Sequence, residues 1–232
     1  MRVPASYSRP ADDTTAHRGE ADFLWRTYRW MSIGLALTGV VAWFVASSPA
    51  LVQAVLGNRV VFYGALIGEL VMVLVFAARA SRMSFGAAAA LFTAYAALNG
   101  VTMAMIFLIY TAASVAQVFF VCAGAFAALA LYGATTRRDL SALGHFLFIG
   151  LIGVVLASVV NLFLASSAIY WVTTYAGVLI FAGLTAYDNQ KLRRLYALQG
   201  EAGNLALQGA LTLYLDFINL FFMLLRVFGR RR

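Results

Sequence analysis

Seven apolar runs, each about 20 residues long, occupy most of this chain and leave few folds open to it. They fall at about residues 30–47, 60–78, 86–109, 114–133, 142–165, 168–187 and 205–228. A helix of that length, rising 1.5 Å per residue, crosses a hydrocarbon layer about 30 Å thick. No water reaches the backbone there, so a spanning segment must close its own hydrogen bonds as a helix or join a closed barrel. The alternating pattern of barrel strands is absent. With 63% hydrophobic and 11% charged residues, the composition excludes an ordinary soluble domain. The chain reads as an all-α integral membrane protein with seven transmembrane helices.

We divide it into a polar N-terminal tail, 1–29, expected to be flexible and cytoplasmic, a membrane domain, 30–229, and a basic tail, 230–232. Residues 1–29 contain no short apolar core followed by a small-residue cleavage site, so no removable signal peptide is expected. The single cysteine, Cys122, can form no internal disulfide.

Basic residues orient the bundle. Five arginines lie in the N-terminal tail, two between segments 2 and 3, two between segments 4 and 5 (Arg137, Arg138) and three basic residues between segments 6 and 7. The alternate loops carry almost none, Arg59 excepted, which places the N-terminus in the cytoplasm. Seven crossings then send Arg226, Arg230, Arg231 and Arg232 to the opposite face, against the same rule. We take segment 7 as a true span; a segment that enters and returns is the alternative. Orientation accounts for the net charge of +8, and nucleic acid is not implied. Between helices, Gly64 with Gly68, Gly150 with Gly153, and the run Ala87 to Ala90 offer the small surfaces on which membrane helices pack.

The acids carry the chemistry. On segment 7, Gln208, Thr212, Asp216 and Asn219 are spaced by four, four and three, which puts them on one helical face. Asp188 ends segment 6 and precedes a polar stretch, so it is expected near the cytoplasmic membrane boundary. A carboxylate in hydrocarbon costs roughly 3 kcal/mol on insertion scales and so is paired, hydrated or protonated. Asp216 lies about 16 Å into segment 7 along a straight helix. It meets Asp188 only if segment 6 runs deeper than its apolar stretch, or if segment 7 enters the membrane late. Where two carboxyl groups meet, repulsion between anions favours one shared proton and a coupled titration. Losing that proton separates the helices or recruits a cation, and calcium suits such an oxygen-rich site. Glu69, in the middle of segment 2, is a third intramembrane acid and joins the candidate cation path. Asp139 is expected to cap a helix or form a surface ion pair. His145 is expected to pack or hydrogen-bond.

The segments Thr185-Ala186-Tyr187-Asp188-Asn189-Gln190-Lys191 and Leu213-Tyr214-Leu215-Asp216-Phe217-Ile218-Asn219-Leu220-Phe221 resemble the signatures of the Bax inhibitor-1 family. So do Tyr110-Thr111-Ala112-Ala113-Ser114, Tyr132-Gly133-Ala134-Thr135-Thr136-Arg137-Arg138-Asp139-Leu140-Ser141 and Ala157-Ser158-Val159-Val160-Asn161-Leu162-Phe163. The style is that of the bacterial inner-membrane branch, and only the N-terminal tail lies outside the resemblance. It implies six helices around a central C-terminal helix, and a calcium leak gated by protons through Asp188 and Asp216. It also implies a basic latch on the second helix, for which Arg79 and Arg82 are the nearest candidates. Thr212 and Asn219 flank the sensor as possible pathway residues, and the two aspartates are the candidate calcium ligands.

No enzyme and no cofactor are expected. Intramembrane aspartyl proteases also use two acids, but their second aspartate is flanked by glycine, whereas Asp216 stands between Leu215 and Phe217. The expected partners are lipid, calcium and protons. The alternative function is a non-transporting regulator that binds another membrane protein, such as a protease, through the polar tail or the basic C-terminus.

Overall fold

The first span begins well before its apolar stretch. The computed structural model describes the backbone of residues 10–232 and the side chains from residue 18 onward. Helix α1 runs unbroken over Pro10–Ser47, so residues 10–29 of the segment assigned to a tail are helical, while residues 1–9 lie outside the described residues. Polar residues tolerate the helix here because they find partners on another one. Glu20 pairs with Arg193 and Arg26 with Glu201. Between these ion pairs, Phe23 is fully buried and stacks on Tyr196 with ring centroids 4.8 Å apart. Exposed ion pairs contribute little, roughly 0–1 kcal/mol each, so the aromatic contact holds this end of α1 in place. Truncation of Phe23 to alanine is expected to cost roughly 3–5 kcal/mol, lowering the unfolding midpoint in detergent by about 10 °C. A change under 2 °C in a thermal melt would reduce the contact to a surface ornament.

The remaining helices are α2 (Pro49–Val55), α3 (Arg59–Arg79), α4 (Phe85–Met103), α5 (Met105–Ile109), α6 (Ala112–Thr135), α7 (Ser141–Leu164), α8 (Ser167–Gln199) and α9 (Leu205–Phe228). Helices α4 and α5 together form one crossing, and α2 is a short connector. Seven spans result. Most starts are set by local chemistry: the side chains of Asn58, Ser84, Thr111 and Ser166 each accept a hydrogen bond from the first turn of the helix that follows.

The C-terminal helix α9 is the core of the bundle. It packs against α1, α4, α6 and α8, while α3 packs on α4 and α7 on α8 as an outer layer. Leu207, Leu213 and Tyr214 of α9 are fully buried. The outer helices instead present Val60, Leu162 and Phe163 almost bare, as surfaces solvated by lipid.

Contacts at the two ends settle how α9 runs. At one end Asn204, just before α9, donates from Nδ2 to the carbonyls of Ala80 and Met83, both at 2.8 Å. At the other, Tyr110 pairs with Arg231 in an antiparallel bridge, with Thr111 N to Arg230 O at 3.1 Å and Arg232 N to Ile109 O at 2.9 Å. The chain therefore crosses once more and finishes on the face opposite the 80–84 loop; it does not turn back.

The small residues do not all pack as their spacing suggests. A β-carbon added at Gly64 or Gly153 would meet nothing within 4 Å, because those faces look into lipid. Within the run Ala87 to Ala90, Ala88 alone is fully buried. The close approach lies elsewhere: at Gly133 of α6, where such a carbon would stand 2.1 Å from the carbonyl oxygen of Ala186 in α8.

In the loop before α7, the Asp139 carboxylate accepts from Ser141 N and pairs with Arg194, both at 2.8 Å. The Ser141 hydrogen bonds first, and Arg194 after them, hold its pKa down at about 2. A carboxyl lowered on folding adds stability above its ordinary value of 3.8 and loses it as pH falls toward about 2. Asp139→Asn is therefore expected to lower the melting temperature slightly at neutral pH. The gap to the native chain should close in melts taken between pH 4 and pH 2; a gap that persists to pH 2 would contradict the pairing.

Candidate functional site

Helix α8 solves the offset between the two aspartates. Its apolar stretch stops near Tyr187, yet the helix continues to Gln199. Asp188 stands eleven residues before that end, and Asp216 stands eleven residues after the start of α9 at Leu205. The antiparallel hairpin brings the two to one level.

The helix continues because each residue after Asp188 points, about 100° from the last, at a different neighbour. Asp188 faces α9. Fully buried Asn189 takes a hydrogen bond from Tyr28 of α1 and donates from Nδ2 to Thr185 O at 2.7 Å. Gln190 accepts from Leu140 N at 2.9 Å and donates to Arg138 O at 2.8 Å, tying down the loop before α7. Three polar residues in a row thus fasten α8 to three different parts of the bundle.

The carboxyl groups of Asp188 and Asp216 lie within hydrogen-bonding reach of each other. Both are buried, and Asp216 Oδ2 meets no donor from the protein. Ionised carboxylates only accept, so this contact is a hydrogen bond when one of the two carries a proton. The pair opens onto a cavity of about 750 Å³ between α7, α8 and α9. Thr212 and Asn219 line the same cavity, so the polar face of α9 is realised from Thr212 to Asn219. Gln208 is not among the lining residues; its amide turns back to Gly203 O.

Arg79 and Arg82 are not brought to the aspartates. Both are exposed at the end of α3 and in the turn after it, outside the cavity lining. The lining residue with a fixed positive charge is Lys191, one turn beyond Asp188 and 5.8 Å from the ring centre of Tyr187. Sequence reading passed over Lys191 because the apolar run had been closed at residue 187. Once α8 continues, the three-residue spacing from Asp188 puts it on the same face. His145 lines the cavity too, with Nδ1 2.8 Å from Ser141 O.

Glu69 belongs to a second polar cluster. Asn99 Nδ2 donates to it at 3.2 Å and Thr102 Oγ1 at 2.6 Å. Tyr214 of α9 donates to Asn99 Oδ1 at 2.9 Å and lies 2.7 Å from Thr38 Oγ1. Tyr214 and Asp216 are two residues apart and so project to nearly opposite sides of α9. The third acid is thereby held apart from the aspartate cavity. Among the described residues, no group of three or more His, Cys, Asp or Glu side chains converges in a way that could hold a metal ion.

Other proteins resemble this chain over most of its length. The inner membrane protein YbhL of Escherichia coli strain K12 is 49% identical over 92% of this chain and 94% of its own length. A Deinococcus radiodurans protein is 43% identical over 90% of each chain. A Rickettsia prowazekii protein is 40% identical over 94% of this chain and 93% of its own. Residues 20–232, which include both aspartates and every crossing after the first turns of α1, match the family described as inhibitor of apoptosis-promoting Bax1, and the chain belongs to this Bax inhibitor-1 family.

Proposed function

We propose that the protein is a calcium leak whose conductance is set by a proton shared between Asp188 and Asp216. The juxtaposition of two buried carboxyl groups beside a cavity that Thr212, Asn219 and Lys191 also line carries this reading. Family membership supports this reading over a catalytic one. With one proton between them, the aspartates hold α8 against α9. When pH rises and that proton leaves, two anions face each other at contact distance, and the hairpin opens or takes up a cation. Two carboxyl groups with Thr212 and Asn219 fall short of the six to eight oxygens that a resident calcium takes, so the ion completes its shell with water and passes through. Calcium is cargo here, not a cofactor.

The E. coli relative's description supports a place in the inner membrane of a bacterial cell, with the N-terminus in the cytoplasm on the charge distribution of the loops. The test is calcium entry into proteoliposomes across a pH series. Flux that climbs with pH is the expected result. Flux indifferent to pH removes the sensor, and no flux at any pH returns the protein to the regulator that binds another membrane protein.

A further inference from the structure

Four arginines sit where the charge distribution of the loops says they should not. Arg226, Arg230, Arg231 and Arg232 lie on the face opposite the loops that hold most of the other basic residues, and they are fixed there. The antiparallel bridge to Tyr110 is reinforced by Arg230 N donating to Ser114 Oγ at 2.8 Å. A tail that served only as diffuse charge would need no such tether.

Two of these arginines line a cavity of about 620 Å³ with Asn161, Ser166, Ser167 and Tyr170. The Arg226 guanidinium lies 5.3 Å from the ring centre of Tyr170, and Arg231, bridged through its backbone to Tyr110, lines the same cavity as Tyr170. Neither forms an ion pair among the described residues, and no aspartate or glutamate lines the cavity. The first turn of α8, whose N–H groups lack helical partners, opens at the same place behind Ser166. Two guanidinium groups, two serine hydroxyls and a helix start converge without a balancing anion.

We propose that this cavity binds the phosphate of an anionic phospholipid headgroup. Half-buried Tyr170 leads into exposed Trp171 and Tyr175 beside it, with Trp171 stacked on Tyr175 at 5.7 Å. Tyrosine and tryptophan concentrate at headgroup depth, which favours a lipid phosphate over one from solution. Guanidinium forks match phosphate oxygens geometrically, so a paired site gains specificity over simple attraction to a charged surface.

The experiment is thermal unfolding of the full chain in detergent, titrated with short-chain phosphatidylglycerol, phosphatidylcholine or inorganic phosphate. Phosphatidylglycerol alone is expected to raise the midpoint. Arg226→Gln and Arg231→Gln should each raise the concentration for half the shift by about tenfold. Arg230→Gln, which removes the same charge from a residue outside the cavity lining, should leave it unchanged. Arg231 lies outside the helices, so its variant reads the site even if Arg226→Gln fails to fold. An equal loss in Arg230→Gln would reduce the effect to diffuse charge. An equal response to inorganic phosphate would make the ligand a free anion, and no response to any of the three would leave no site; each overturns the proposal.

Discussion

Asparagine in place of Asp216 is expected to flatten the pH response of calcium flux, leaving less than about a twofold difference between the acidic and alkaline ends of the series. The amide is uncharged at every pH and donates permanently to Asp188, so the hairpin stays in its hydrogen-bonded form. Two like charges about 4 Å apart at an effective dielectric near 20 repel by roughly 4 kcal/mol. That is enough to move a two-state equilibrium by more than about a hundredfold, and the substitution removes it. Asp188→Asn should behave the same way, with low flux at high pH. Because Asp216 Oδ2 meets no donor from the protein, the exchange strands no partner and the fold should survive. A native pH profile in both variants would end the sensor reading even if calcium still crossed.

The largest structural effect is expected at Gly133. An added β-carbon there meets a backbone carbonyl, which no rotamer change can move. Overpacking in a tight core costs roughly 1–3 kcal/mol, occasionally more, and this contact lies at the severe end. Gly133→Ala should lower the melting midpoint by about 10 °C, on the scale of roughly 2–4 °C per kcal/mol for a chain of this size. Gly133→Leu should leave no folded protein to purify. Gly64→Ala and Gly153→Ala should have the opposite sign, since each fills open space and relieves a helix of glycine's entropy, worth roughly 0.5–1 kcal/mol. Equal losses at all three positions would mean that the α6–α8 contact is not tight.

These glycines show where sequence reading stops. Hydropathy locates a helix that touches lipid, and it located all seven. It cannot say which side of a helix touches lipid and which touches another helix, so the closely spaced glycines drew the eye while Gly133, nine residues from Gly124 in its segment, did not. The same limit hid the length of α8. Its last turns are polar, and their helical state rests on Glu20, Tyr28 and Asp139, partners far away in the chain. Both aspartates were legible because a carboxyl in an apolar run is conspicuous. Their contact was not, because it depends on those extra turns.

The central position of α9 bears on the order of assembly. The other six spans precede α9 in the chain and enter the bilayer before it. Until it arrives, Thr38 and Asn99 lack the Tyr214 hydroxyl that lies between them in the finished bundle. The inner faces of α1, α4, α6 and α8 have only one another and lipid to rest on. Insertion and packing are then separate events, and a ribosome that stalls within the final 24-residue helix leaves six inserted spans with no centre to gather around.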